Sequence, residues 1–351
     1  MEPLEYEYAR ETGKLLGTIR HLNKEDSDEV LIQILSTEGV KTSEIEGERL
    51  DRDSVQSSLR RKLGLASINR QVEPAEAGMA EMMMALYCDY KKPLTHKEMH
   101  QWHENIMQGR TDLEKKGDYR AHEDPMFIVS GGIGMEKIHF EAPPSKIVKK
   151  EMAKFIQWFN KSLKALKPLA RASIAHLYFV CIHPYEDGNG RIARALGEKA
   201  LSQSIGSPTL SGLSRQIASG KKDYYDALEN NNQDLEITDW LTYFGQTIIR
   251  ASNYTLQSVE QTILKTKLYQ AFDNQLNDRQ KKVIHKLFEA QPKGLKGGLS
   301  AKNYITITKA SRATTTRDLQ ELVELGILRR WGERRFMRYG LNFDGNLGIH
   351  E

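Results

Sequence analysis

The chain has 351 residues, 39% apolar and 28% charged, enough to bury a core in two or three domains. Two cysteines, Cys88 and Cys181, exclude a disulfide framework, and neither stands in a structural-zinc spacing, so a reducing, cytoplasmic setting is expected. The net charge of +4 is uneven: residues 291–340 hold 11 Lys and Arg against 4 Asp and Glu, or +7, so the remainder carries −3. Such asymmetry fits either a solvated basic face or a region that meets an anion such as nucleic acid.

At the N-terminus no basic segment precedes an apolar one, and no apolar run approaches the roughly 20 residues of a membrane span, so neither a secretory signal nor a membrane partner is expected. Most of the chain reads as amphipathic helix. The exception is Met126–Ser130, a glycine turn over 131–134, and Lys137–Phe140, which predict a β-hairpin closed off by Pro143 and Pro144. Over 147–160, Ile147, Met152, Phe155, Ile156 and Phe159 form one apolar stripe. Residues 172–182 are nearly all apolar, which suits a helix buried on every side, and 239–249 is another apolar helix. Towards the C-terminus helices are expected over 278–290, 301–308 and 311–325, the last ended by Gly326, then two strands around Gly332. Three helices and a basic hairpin resemble a winged helix-turn-helix domain.

The chemistry concentrates in His183-Pro184-Tyr185-Glu186-Asp187-Gly188-Asn189-Gly190-Arg191 and Arg194. Glycines around Asn189 let backbone N–H groups converge on an anion, and the following helix adds the positive end of its dipole. Arg191 and Arg194, three residues apart, share a face and can grip a polyphosphate. Asp187 is a hard oxygen ligand suited to Mg2+, and His183 is the group able to take a proton near neutral pH. Each piece alone is ordinary: a histidine before proline is usually structural, and Asp-Gly-Asn-Gly is usually a turn.

The whole string resembles the core motif of the Fic family, His-Pro-Phe-x-Asp/Glu-Gly-Asn-Gly-Arg-x-x-Arg, with Tyr185 in place of Phe. Gly117-Asp118-Tyr119-Arg120, the hairpin, and Ile138 to Pro144 are similar to the region around that family's flap. The resemblance implies a mainly α fold: a helical domain with a β-hairpin flap, then a winged helix. It divides the chain into an N-terminal helical region (1–90), a catalytic domain (91–255) and the winged helix (256–351). It implies transfer of AMP from ATP to a protein hydroxyl, with the chain itself among the candidate targets. His183 would be the base, Asp187 the Mg2+ ligand, Gly188, Asn189 and Gly190 the phosphate cradle, and Arg191 and Arg194 the β- and γ-phosphate ligands. Ile128, Val129, Ser130 and Gly131 of the hairpin would dock the target as an added strand. Tyr224, Tyr225 and Asn232 are candidates for the adenine pocket, although helix packing accounts for the tyrosines equally well. A homodimer is a further family-level expectation.

Thr42-Ser43-Glu44-Ile45-Glu46-Gly47 matches the family's inhibitory pattern, Ser/Thr-x-x-x-Glu-Gly/Asn. A Glu46 carboxylate on Arg194 would withhold the arginine meant for the γ-phosphate. The alternatives are removal of AMP or transfer of another nucleotide by the same site, and a regulator that works mainly by binding duplex DNA. In the DNA reading Ser311, Arg312, Thr314, Thr315 and Arg317 would face the groove, and Arg329, Arg330, Arg334 and Arg335 would lie near the wing.

Overall fold

In the computed structural model, which describes residues 1–65, 71–130, 137–233, 235–290, 295 and 297–342, the chain divides into two units, Met1–Thr255 and Leu256–Glu351. The first opens with α1 (Glu2–Arg20), α2 (Lys24–Ile45), α3 (Arg52–Lys62), α4 (Pro74–Asp89) and α5 (His96–Ile106). Side-chain caps start several of these: Asn23, Asp51 and Thr95 each accept a backbone N–H of the first turn. A hairpin follows, β1 (Phe127–Ser130) antiparallel to β2 (Lys137–Glu141), with a register shift between Ile128 and Val129. Then come α6 (Ser145–Ser162), α7 (Pro168–Ile182), α8 (Asn189–Ile205), α9 (Leu213–Ser219), α10 (Lys221–Glu229) and α11 (Thr238–Phe272), which runs on past the unit boundary.

The axis of this unit is α7, buried all round as its apolar run predicts, with Leu169, Ala172, Ala175, Phe179 and Ile182 in the core. Truncating Phe179 to alanine would cost about 3–5 kcal/mol through lost burial and the cavity left behind. Buried Arg171 fastens its neighbours, donating to Ala200 O at 2.8 Å in α8 and to Phe159 O at 3.0 Å in α6. The first turn of α7 is capped from far along the chain: Glu5 in α1 accepts from Leu169 N at 3.1 Å and Ala170 N at 3.0 Å. The stripe expected in α6 holds at Met152, Phe155 and Phe159 and is displaced by one position only at its start. Val148, Met152, Phe155 and Phe159 are buried, whereas Ile147 is 37% exposed, because one residue of helix is about 100° of rotation.

In the second unit, α12 (Asp278–Glu289), α13 (Ala301–Thr308) and α14 (Arg312–Glu324) precede β3 (Leu328–Trp331) and β4 (Arg338–Leu341), an antiparallel pair. A short 3-10 turn at Arg334–Phe336 lengthens the connection beyond the tight glycine turn that was expected. Buried Asp318 ties the three helices: it accepts from Arg279 at 2.8 and 3.0 Å and from Tyr304 Oη at 2.9 Å. Thr315, expected to face a groove, is fully buried, since it lies on the same side of α14 as Asp318 and Leu319. No helix among the described residues is long and apolar enough to cross a membrane.

Candidate active site

The motif spans the end of α7, a loop and the start of α8. His183 caps α7 with φ 48° and ψ 60°, a left-handed conformation unusual for a non-glycine residue. Its Nδ1 lies 3.2 Å from Val180 O. A carbonyl only accepts, so Nδ1 carries the hydrogen and Nε2 is left as the basic nitrogen of the neutral ring. Burial pushes the imidazole down to about 4, so it is neutral at physiological pH.

The loop is braced from both sides. Asn189 closes it: its side chain accepts from Tyr185 N at 2.9 Å and donates to Tyr185 O at 2.7 Å. The Asn189 side chain is thus engaged by the turn, and what it offers an anion is its backbone N–H. Glu186 accepts from the N–H groups of Glu114 and Lys115, at 3.0 and 3.2 Å. Tyr185, the departure from the family's Phe, is buried against His103 with ring centroids 4.1 Å apart, and its extra hydroxyl meets His100 Nδ1 at 3.2 Å.

Helix α8 begins at Asn189, so the N–H groups of 189–191 have no acceptor within the helix. They form the start of an anion site. A Cβ at Gly190 would stand 2.2 Å from Glu46 Oε1 and 3.1 Å from Arg194 Nη1, so only glycine leaves room for an anion there. In this structure that anion is the Glu46 carboxylate.

Each position of the pattern Thr42-x-x-x-Glu46-Gly47 has a physical role at the end of α2. Gly47, with φ 87°, is the left-handed residue of a helix-ending motif in which Glu48 N–H donates to Ser43 O at 3.0 Å and Gly47 N–H to Glu44 O at 3.1 Å. That turn aims Glu46 at α8. Arg194, whose side chain is 1% exposed, donates to Glu46 Oε1 at 2.7 Å, to Thr42 Oγ1 at 2.7 Å and to Thr42 O at 2.9 Å. Its Nη1 is buried with no hydrogen-bond partner among the described residues. Burial alone would lower the guanidinium, but Glu46 holds it above its usual value.

Three residues missed in the sequence complete the set of charges. Glu48 Oε2 accepts from Arg191 Nη1 at 2.5 Å, so the same turn that supplies a carboxylate to Arg194 supplies one to Arg191. Arg110, just after α5, donates to Asp187 Oδ2 at 2.7 Å. Burial pushes the Asp187 carboxyl up, yet Arg191 and Arg110 hold it below the usual carboxylate range, so it is ionised. Arg120 grips the backbone at His183. In the sequence Glu48, Arg110 and Arg120 read as ordinary charged residues; Glu48 and Arg120 lie in segments that resemble the family, but no role was attached to either.

One open cavity is lined by Glu46, His183, Asp187, residues 188–190, Tyr224, Tyr225, Leu228 and Phe127 at the start of β1. Tyr224 is buried with its hydroxyl 2.8 Å from His176 Nε2, so it packs and lines at once. Asn232 is not among the residues lining this cavity. Of the docking segment, Ile128, Val129 and Ser130 form β1, while Gly131 lies outside the described residues.

Residues 93–201 match the family described as Fic/DOC family, and residues 1–65 match one described as Domain of unknown function (DUF4172). Among curated relatives, protein adenylyltransferase fic-1 of Caenorhabditis briggsae is 34% identical over 88 residues, 24% of this chain and 17% of that protein. Protein adenylyltransferase Fic of Drosophila erecta is 31% identical over 107 residues, 30% of this chain and 19% of that one. The chain therefore spans less than a fifth of the length of either relative. Among solved structures, a Fic family protein from Desulfovibrio desulfuricans aligns over 98% of both chains with a TM-score of 0.55 at 20% identity. Residues 134–508 of Fic-1 from Caenorhabditis elegans align over 76% of this chain and 74% of that one, with a TM-score of 0.53 at 19% identity. The strict motif and the match over 93–201 agree: residues 93–201 match a Fic domain, and the chain shares the mainly α fold of a Fic family protein.

Proposed function

We propose that this protein transfers AMP from ATP to a hydroxyl of a protein, and that Glu46 restrains it. In this reading residues 1–90 carry the brake, 91–255 the chemistry, and 256–351 a winged helix-turn-helix. The observation that carries the proposal is the Glu46 carboxylate seated between Arg194 and Gly190, in the same cavity as a neutral histidine. A site that holds one anion against a helix N-terminus and a buried arginine can hold a phosphate there.

The target's hydroxyl oxygen attacks the α-phosphorus as His183 Nε2 takes its proton. The new O–P bond forms as the bond from the α-phosphorus to the bridging oxygen breaks, and pyrophosphate leaves. The N–H groups of 189–191 and the two arginines hold the phosphate oxygens in line. Asp187 fits a Mg2+ ion as its one protein ligand. It is ionised and partly exposed, and no metal cage of three or more His, Cys, Asp or Glu exists among the described residues, which suits an ion that keeps waters and phosphate oxygens. When bound, Mg2+ supplies charge neutralisation of the phosphates.

The test is label retention. Glu46→Gly protein with ATP labelled at the α-phosphate should keep label through denaturing electrophoresis, and ATP labelled at the γ-phosphate should leave none. Retention of γ label alone would sink the reading. Because Glu46 and His183 line one cavity, a second reading has Glu46 hold a water that hydrolyses an AMP-bearing protein. Loss of a preformed AMP label with wild-type protein, and not with Glu46→Gly, would favour it. For the second unit we propose weak, salt-dependent binding of duplex DNA, motivated by the +7 charge of residues 291–340.

A further inference from the structure

Arg120 is buried, and among the described residues it meets no carboxylate. Its guanidinium donates to His183 O at 2.7 Å, to Ser145 Oγ at 2.8 Å, to Pro143 O, and at 3.5 Å to Ile182 O. Its own N–H donates to Pro184 O at 2.9 Å. A buried cation facing only neutral oxygens is an expensive way to stabilise a fold, since an apolar side chain of similar volume fills the same space without desolvating a charge. Burial holds its pKa below the usual arginine value.

The expense falls where geometry needs it. His183 occupies a left-handed conformation, which is strained for a residue with a Cβ and persists only where the surroundings over-determine it. Arg120 grips the carbonyls on both sides of that residue, Ile182 and Pro184, and its own carbonyl as well. The same guanidinium reaches Pro143 and Ser145, between the end of β2 and the start of α6. One rigid fork therefore spans the base and the exit of the hairpin, which a lysine, with a single point of attachment, cannot imitate.

We propose that Arg120 is a positioning residue for the transfer reaction: it holds His183 in its productive turn and fixes the distance from that base to the hairpin that presents the target. The proposal rests on the AMP-transfer reading and adds a residue to it. Electrostatics support the geometry. The Arg120 charge disfavours protonation of His183, whereas Glu46 and Asp187, which face the same ring, favour it. Arg120 thus opposes the two carboxylates and keeps the base ready.

The test compares Arg120→Lys and Arg120→Met in the Glu46→Gly background, each checked for folding by circular dichroism and for ATP binding by calorimetry. Self-incorporation of α-labelled ATP and the NMR titration of the His183 ring are then followed against pH. Both variants should lose about 10²-fold in kcat, the scale of a misplacement near 1 Å, with ATP affinity kept. Arg120→Met should also raise the pH at which His183 titrates and move the acid limb of the rate profile upward with it, while Arg120→Lys should leave both in place. Folded variants with the parent's kcat and titration overturn the proposal. So does a merely structural outcome, in which less protein folds but the folded fraction has the parent's specific activity and titration. Should Arg120→Met fail to fold, Arg120→Lys decides by its kcat alone: retained kcat overturns the proposal. If the Glu46→Gly parent itself shows no transfer, the AMP reading fails, and the His183 titration still reports on Arg120 independently.

Discussion

The protein keeps arginines in two contrasting settings. In the first unit, Arg191 and Arg194 are buried, and each is met by a carboxylate at fixed geometry. In the second, Arg312, Arg317, Arg330 and Arg334 are exposed to solvent. Burial decides what such charges can do. A desolvated guanidinium interacts strongly with the anion it faces, so in the proposed reading Glu46 competes with a phosphate for Arg194. An exposed one interacts weakly with any anion, and more weakly as salt rises. The first setting suits a switch, and the second suits non-specific adhesion.

The sharpest test of the buried setting is its base. His183→Ala should lower AMP incorporation by about 10²- to 10⁴-fold while leaving circular dichroism unchanged. The neutral ring is the competent form and burial sets its pKa at about 4, so activity should be flat from neutral pH downward and fall only as pH drops through that value. Near-normal transfer by a folded His183→Ala protein would remove the site from the account.

Next in size is release of Arg194. Glu46→Gly and Glu46→Gln should raise AMP incorporation by about 10- to 100-fold, since a buried charged hydrogen bond is worth roughly 1.5–3 kcal/mol. Glycine can also loosen the helix end by about 1 kcal/mol, which makes glutamine the cleaner variant. Arg194→Ala should not reproduce the gain, because Glu46 and the phosphate lose the same partner together. Equal rates for Glu46→Gln and wild type would reduce Glu46 to a helix-end residue.

A smaller effect is expected from Glu48, whose side chain is 29% exposed and whose ion pair with Arg191 is therefore partly screened. Glu48→Gln added to Glu46→Gly should lower KM for ATP by about two- to fivefold with little change in kcat. An unchanged KM would mean that Arg191 does not exchange Glu48 for phosphate. Smallest is the exposed setting. Replacing Arg312 or Arg330 by alanine should each weaken duplex DNA binding by the full chain only a few-fold, and lower the salt slope by about one. A chain that gives no gel shift at low salt would remove DNA altogether.

Sequence legibility followed the same divide between local and distant. Helices set by local signals were readable: the apolar run of α7 and the ends of α12, α13 and α14 lie within a residue or so of expectation. The His183–Arg194 string was readable because its spacing is strict. The pairing of Arg194 with Glu46 joins residues 148 positions apart, and no periodicity encodes that; resemblance alone brought them together. Glu48, Arg110 and Arg120 escaped notice because a charged residue near a loop has the same signature whether it is solvated or buried on a partner. Ile147 and Thr315 were misplaced for a simpler reason: a helix face read without its neighbours is uncertain by one position, and one position exchanges core for solvent.

The closing turn of α2 has a further consequence. Glu44, Glu46 and Glu48 cluster where the helix's own carbonyls already make the negative pole, and carboxylates there are disfavoured by about 0.3–1 kcal/mol each. Lys221 Nζ, donating to Ile45 O, relieves part of this. Arg191 and Arg194 relieve more, but only while they remain bound to Glu48 and Glu46. In the proposed release both arginines go to a nucleotide, and the turn is left with Glu46 and Glu48 uncompensated beside that pole, while Lys41 still holds Glu44. Recapture of the arginines relieves that repulsion, so the charges that make release costly also favour relocking once the nucleotide leaves. Such an arrangement behaves as a self-resetting latch.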